Sequence, residues 1–168
     1  AIKGVGGAAI ENIIAERDAK GEFSSMDDFV SRIDPFKVNK KVFESLIKAG
    51  CFDEFGFSRK MLLQNVENIV EACKNAAQIR KNAAESLFGE DDSMNDVKIN
   101  FVTIDDEFDI KQILKFEQES VGIYLSGHPL DDYKDEINKI KYTLSSEFET
   151  LPQSAEILVV GKIEDFST

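Results

Sequence analysis

Little in this sequence could ligate a metal, form a disulfide or cross a membrane. It has one histidine, His128, placed between Gly127 and Pro129 in what reads as a turn. No Cys/His set with ligand spacing surrounds it. Cys51 and Cys73 are too far apart for a CxxC motif and are expected as reduced thiols of a cytoplasmic protein. No run approaches the ~20 apolar residues of a membrane span, and no signal-peptide pattern opens the chain. Ser126-Gly127-His128 lacks the Gly-x-Ser-x-Gly elbow of a hydrolase. Positive charge is in deficit as well, with 20 Lys/Arg against 32 Asp/Glu and a net charge of −12. Taken alone, that argues against a nucleic-acid binder. The chain starts without Met, inside a motif, so a piece of something longer is expected.

The deficit is unevenly spread. Residues 1–60 hold 10 Lys/Arg and 10 Asp/Glu, so all the excess acid lies in 61–168. The neutral part opens with Ile2-Lys3-Gly4-Val5-Gly6-Gly7-Ala8-Ala9-Ile10. Gly4 and Gly6 flank Val5 and permit a sharp turn with positive φ. Ile10, Ile13 and Ile14 then recur at helical spacing. The first amides of that helix, from Gly6, Gly7 and Ala8, have no intrahelical partner, and the helix dipole favours an anion there. With Lys3 beside it, this is a phosphate-sized site.

Three readings of these glycines compete. Gly4-x-Gly6-x-x-Ala9 formally fits a dinucleotide fingerprint, but no strand precedes it and the next apolar segment is helical. A helix-hairpin-helix would hold a DNA backbone phosphate on the hairpin amides. A turn that only caps a helix explains the pattern too, since glycine is the default turn residue.

Further on, the spacing predicts a chain of helices. Gly21 ends the first. Ser25 caps a second, bearing Met26, Phe29, Val30 and Ile33, and Asp34-Pro35 stops it. Asn39 caps a third with Val42, Phe43, Leu46 and Ile47, closed by Gly50. This second helix-turn-helix carries Lys37, Lys40 and Lys41 around its turn. Ser58 is expected to cap one continuous helix of about eight turns, its apolar face running from Leu62 through Cys73 and Ala83 to Leu87. Residues 89–107 read as a linker or loop. Asp105, Asp106, Glu107 and Asp109 could bind a cation, but they do not fit EF-hand spacing; a solvated loop with one Asp capping the next helix is the simpler reading. That helix starts near Phe108 and is expected to close at Gly127. Phe52, Phe55 and Phe57 are expected in the core rather than stacked on bases. Short helices follow near 130–140 and 146–151, and the β-branched run 157–163 predicts a strand.

Three phrases carry a resemblance: Ile2-Lys3-Gly4-Val5-Gly6, Leu46-Ile47-Lys48-Ala49-Gly50-Cys51-Phe52-Asp53, and Glu119-Ser120-Val121-Gly122-Ile123-Tyr124-Leu125-Ser126-Gly127-His128-Pro129-Leu130. Together, and in order, they resemble the alpha subunit of bacterial DNA polymerase III. The resemblance implies a mainly α fragment from the C-terminal half of that subunit. Its parts would be a tandem helix-hairpin-helix domain at 1–57, a helical connector at 58–142 and the opening of an OB-fold domain at 143–168. In that family the hairpins grip duplex DNA without reading sequence. The residues implied are Lys3, Gly4, Val5, Gly6, Gly7 and Ala8, and in the second turn Lys37, Asn39, Lys40 and Lys41.

Polymerase chemistry in the family uses magnesium-binding aspartates of a palm domain that nothing here matches, so the resemblance implies a DNA polymerase parent and a fragment with no catalytic residues or cofactor of its own. It also implies other holoenzyme subunits as partners. Ala84-Glu85-Ser86-Leu87-Phe88 occupies the place of the peptide that docks on the sliding clamp, with Ala84 where the family has Gln. The other reading of Leu87 and Phe88 is the last apolar turn of the long helix. A protein-interaction scaffold, acting chiefly through the clamp, is therefore the alternative to a DNA-binding role.

Overall fold

A computed structural model of the chain describes residues 1–85 and 97–163. The chain forms two compact units, Ala1–Tyr124 and Leu125–Thr168. The described residues are helical or irregular, and no strand is present among them.

The first unit opens with a turn that leads into α1 (Gly7–Lys20), followed by α2 (Met26–Arg32), α3 (Lys40–Lys48), α4 (Arg59–Gln64), α5 (Val66–Glu85) and α6 (Ile110–Ser120). Local chemistry sets most of the starts. The side chains of Ser25, Asn39, Ser58 and Asp109 each accept a backbone N–H from the first turn of the helix they cap. Phe29, Val30, Ile33, Val38, Phe43, Ile47, Leu62, Ile69 and Cys73 form the core in which α2, α3 and α5 meet. Phe29 sits edge-on to both Phe43 and Phe52, with centroids 6.0 and 5.0 Å apart. Phe52 is thus a core residue, as expected.

The C-terminal ends of the three hairpin helices each receive an arginine. Arg32 Nη2 donates to the carbonyls of Glu16 and Gly21 at the end of α1, at 2.5 and 2.8 Å, and its guanidinium covers the Phe23 ring. Arg80, on α5, donates to Arg32 and Ile33 C=O at the end of α2, at 2.5 and 2.6 Å. Arg59 reaches Lys48 C=O at the end of α3, at 3.3 Å. A cation at this end satisfies orphan carbonyls and complements the helix dipole.

Several expectations are corrected here. The single long helix predicted after Ser58 is broken at Asn65, whose buried carboxamide bonds Met61 C=O and the backbone of Val102. Ala83 is exposed, so the apolar face does not run the length of α5. In α1, Ile13 packs on the core while Ile10 and Ile14 are exposed. The helix near residue 110 ends at Gly122 (φ 88°), not Gly127: both Val121 N–H and Gly122 N–H donate to Glu117 C=O. The acidic stretch 105–109, by contrast, is the exposed loop expected, with Asp109 capping α6, and it also braces α4. Glu107 accepts the N–H groups of Arg59 and Lys60 at 2.6 and 3.0 Å and so caps α4 from a distance, while Asp106 pairs with Lys60.

The second unit holds a 3-10 turn at Asp131–Tyr133 that runs into α7 (Lys134–Ile137), and another 3-10 stretch at Ser145–Thr150. His128 belongs to a turn, as expected: its N–H donates to Asp131 Oδ2 at 2.7 Å and its Nδ1 accepts Leu130 N–H at 3.2 Å. The His128 amide and then Lys134 hold the Asp131 carboxyl below the usual range. The strand predicted at 157–163 is not formed. Thr143 N–H donates to Leu158 C=O at 2.8 Å, but Ile157, Leu158, Val159 and Ile163 are exposed. A strand depends on a neighbouring ladder, and β-branched sequence alone does not supply one.

Candidate nucleic-acid interface

The first hairpin is a tight turn: Val5 N–H donates to Ile2 C=O at 3.3 Å, with Gly4 at φ 87°. Ile2 and Val5 pack against the core, while Lys3, Gly4, Gly6, Gly7 and Ala8 are exposed. Gly6 is the N-cap of α1 and has no side chain to cap it. Among the described residues, none accepts from the amides of Gly6, Gly7 or Ala8. They are three exposed donors at the positive end of a helix.

Two contacts hold this turn in place. Lys3 N–H donates to Ser120 C=O at 2.7 Å, at the end of α6. On the other side the backbone of Gly4 lies against Ser45: a Cβ added to Gly4 would sit 2.6 Å from Ser45 Oγ. Ser45 Oγ in turn donates to Lys41 C=O, one turn earlier in α3. The first hairpin therefore rests on the helix whose N-terminus forms the second.

The second turn is equally fixed. Asp34 C=O accepts from Lys37 and Val38 N–H, and Asp34 N–H donates to Asn12 of α1 at 2.9 Å. Asn39 Oδ1 accepts Val42 N–H at 3.2 Å. Lys37, Asn39, Lys40 and Lys41 are all exposed. Among the described residues, Lys3, Lys37 and Lys41 make no ion pair, whereas Lys40 Nζ is paired with Glu67 on α5. That hydrogen-bonded carboxylate raises the Lys40 pKa above the ordinary lysine value.

Ala84 and Glu85 close α5, with Ala84 exposed. Ser86, Leu87 and Phe88 lie outside the described residues. Among those described, no group of three or more His, Cys, Asp or Glu could hold a metal ion, and no helix is long and apolar enough to cross a membrane. Sequence reasoning missed Ser45, Ser120 and Asn12, which position the two turns. Each acts through space from a distant part of the chain, so no local spacing marks it.

Two short turns, each delivering a helix N-terminus and each resting on the helix that follows the other, define a helix-hairpin-helix motif in the first part of the chain. Residues 1–62 match the family described as the helix-hairpin-helix motif. Over 168 residues the chain is 51% identical to the DNA polymerase III subunit alpha of Campylobacter jejuni, covering 100% of this chain and 14% of that protein. It is 40% identical to the same subunit of Helicobacter pylori, over 97% of this chain and 14% of that protein. For Chlamydia pneumoniae the identity is also 40%, over 100% and 14%. The chain belongs to the DNA polymerase III alpha subunit family, and it spans about 14% of the length of these relatives.

Proposed function

We propose that this chain binds duplex DNA without sequence preference and does so as part of a replicative polymerase. The observation that carries this reading is the seating of Gly4 against Ser45, one turn from Lys41. It groups the free amides of Gly6, Gly7 and Ala8 with the N-terminus of α3. Backbone amides and lysines meet phosphates and carry no base information, so contact made this way positions the duplex without reading it. Lys3, Lys37 and Lys41 add charge; Lys40 must exchange Glu67 for a phosphate. Helix-hairpin-helix family membership supports the assignment.

The relatives' name supports a parent that is a DNA-directed DNA polymerase, with magnesium chemistry and holoenzyme partners outside this chain. Within such a parent, 1–57 would be the duplex-binding part, 58–142 a connector and 143–168 the lead into an OB-fold domain. The exposed end of α5 at Ala84 supports a second contact, with the sliding clamp, through residues 84–88.

The test is anisotropy of a labelled duplex across a salt series. Each duplex phosphate contact contributes a slope of about −0.9 in log K against log salt. The Lys37→Ala/Lys40→Ala/Lys41→Ala variant is expected to bind more weakly, with a slope shallower by roughly 2. An unchanged slope would remove the second turn from the interface. Clamp binding that is indifferent to salt and lost on Leu87→Ala/Phe88→Ala would support the second contact.

A further inference from the structure

The turn between α2 and α3 carries an aromatic ring into solvent. Phe36 is 93% exposed, while Phe29, Phe43 and Phe52 of the same unit are buried. The ring does not stand on a loose loop. Asp34 Oδ1 accepts Phe36 N–H at 2.9 Å, and Asp34 C=O accepts from the next two amides, Lys37 and Val38. Pro35 fixes φ on one side, and buried Val38 anchors the other. Asn12 ties the whole turn to α1. A rigid support therefore holds an apolar ring in water, which is unfavourable until something covers it.

Its surroundings indicate what does. Lys37 follows it directly, and Lys40 and Lys41 open the next helix. Three carboxylates are near: Asp34 is occupied by the turn itself, Glu67 by Lys40, and Glu44 stands one turn along α3, within electrostatic reach of Lys40. In a chain of net charge −12, an aromatic bordered by three lysines within five residues fits a polyanion with an apolar floor. The DNA minor groove is such a surface. It is about 6 Å wide, lined by phosphates on both rims and by sugar and base edges below.

We propose that Phe36 enters the minor groove and packs on deoxyribose and base edges, while Lys37 and Lys41 engage the phosphates on its rims. Apolar side chains are used in this groove by proteins that do not read sequence closely. The inference rests on the duplex-binding reading above and adds to it the groove and the residue that enters it.

A ring packed on sugars adds affinity without displacing counterions, so a salt series separates it from the lysines. The experiment titrates labelled duplex and labelled single strand with the full chain, as wild type, Phe36→Ala and Phe36→Tyr. Phe36→Ala is expected to weaken duplex binding about fivefold at every salt concentration, with an unchanged slope, and Phe36→Tyr to restore most of it. Three results would overturn the proposal: alanine binding duplex as well as wild type, a shallower slope in the alanine variant, or a loss confined to single strand. Wild type that binds no duplex at any salt instead removes the underlying reading, and this inference with it.

Discussion

Asn65 and Val102 exchange hydrogen bonds in both directions. Asn65 Oδ1 accepts Val102 N–H at 2.7 Å, and Asn65 Nδ2 donates to Val102 C=O at 2.9 Å. Asn65 is 1% exposed, so the pair is made in a poorly hydrated place where its loss is felt. It ends α4 and fastens the 97–109 stretch to it. Asn65→Ala is expected to cost about 2 kcal/mol and to expose the Val102 amide to hydrogen exchange. Unchanged protection of that amide would show that the loop is held by other means.

Arg59 joins three parts of the first unit. It is 4% exposed and pairs with Asp53 and with Glu117, which is 0% exposed. Its desolvation is offset by the hydrogen bonds and charge of those two carboxylates, and its pKa is raised on balance. Removing one partner of a buried pair strands the other charge. Asp53 still holds Arg59 when Glu117 is removed, but buried Glu117 loses this cation when Arg59 is removed. Arg59→Met is therefore expected to cost about 3 kcal/mol, whereas adding Glu117→Leu to Arg59→Met recovers much of that loss. Chemical denaturation of the two single variants and the double variant measures the coupling. Additive losses would mean that the two side chains do not depend on one another.

Gly4 and Gly6 have different tasks. Gly4 needs φ 87° and the space beside Ser45. Gly6 has an ordinary extended backbone, and an added Cβ meets nothing within 4 Å. Gly4→Ala is therefore expected to destabilise the fold by about 1–2 kcal/mol. Gly6→Ala should cost under about 1 kcal/mol yet lower duplex affinity, because its methyl stands between phosphate and backbone. Equal effects of the two on thermal stability would refute this division.

If the second turn meets duplex DNA as proposed, Glu67 and a phosphate compete for Lys40. Glu67→Gln is expected to raise duplex affinity by about two- to fivefold at low salt, and the gain should shrink as salt screens it. A decrease would show that Glu67 positions Lys40 instead of masking it.

The two thiols should react in sequence. Burial raises the Cys73 pKa to about 12, and partial desolvation with the nearby Asp53 charge raises that of Cys51. Cys51 is exposed and Cys73 buried. A raised pKa means less thiolate at a given pH, and the thiolate is the nucleophile. At pH 8, a thiol reagent is expected to label Cys51 alone, and Cys73 only in denaturant. Simultaneous labelling would contradict the burial of Cys73.

What could be read from sequence was what acts locally. Ser25, Asn39, Ser58 and Asp109 cap helices whose first turns follow them directly, so their role shows in a four-residue window. The Gly4–Gly6 turn was legible for the same reason. Glu107 is as much a cap as Ser58, but it serves amides nearly fifty positions earlier, and in sequence it looks like one more acid in an acidic loop. Asn65 interrupts an apolar helical pattern without changing its period, and only its bond to Val102 makes it a break. Gly122 and Gly127 were indistinguishable as helix ends until the amides donating to Glu117 C=O marked the first. Ile10 and Ile14 keep helical spacing with Ile13, yet periodicity says nothing of which neighbours are present to cover them.

The bond from Lys3 N–H to Ser120 C=O also imposes an order in time. Lys3 is made well before Ser120, with more than a hundred residues between them. At synthesis rates of about 5–20 residues per second, the ribosome needs roughly 6–25 seconds to deliver its partner. Throughout that interval α1 and α2 can assemble, while the Gly4 turn lacks the support that α6 gives it. Its final shape thus waits on one of the last helices of its own unit. The nascent protein can fold much of its core before that turn takes its final form.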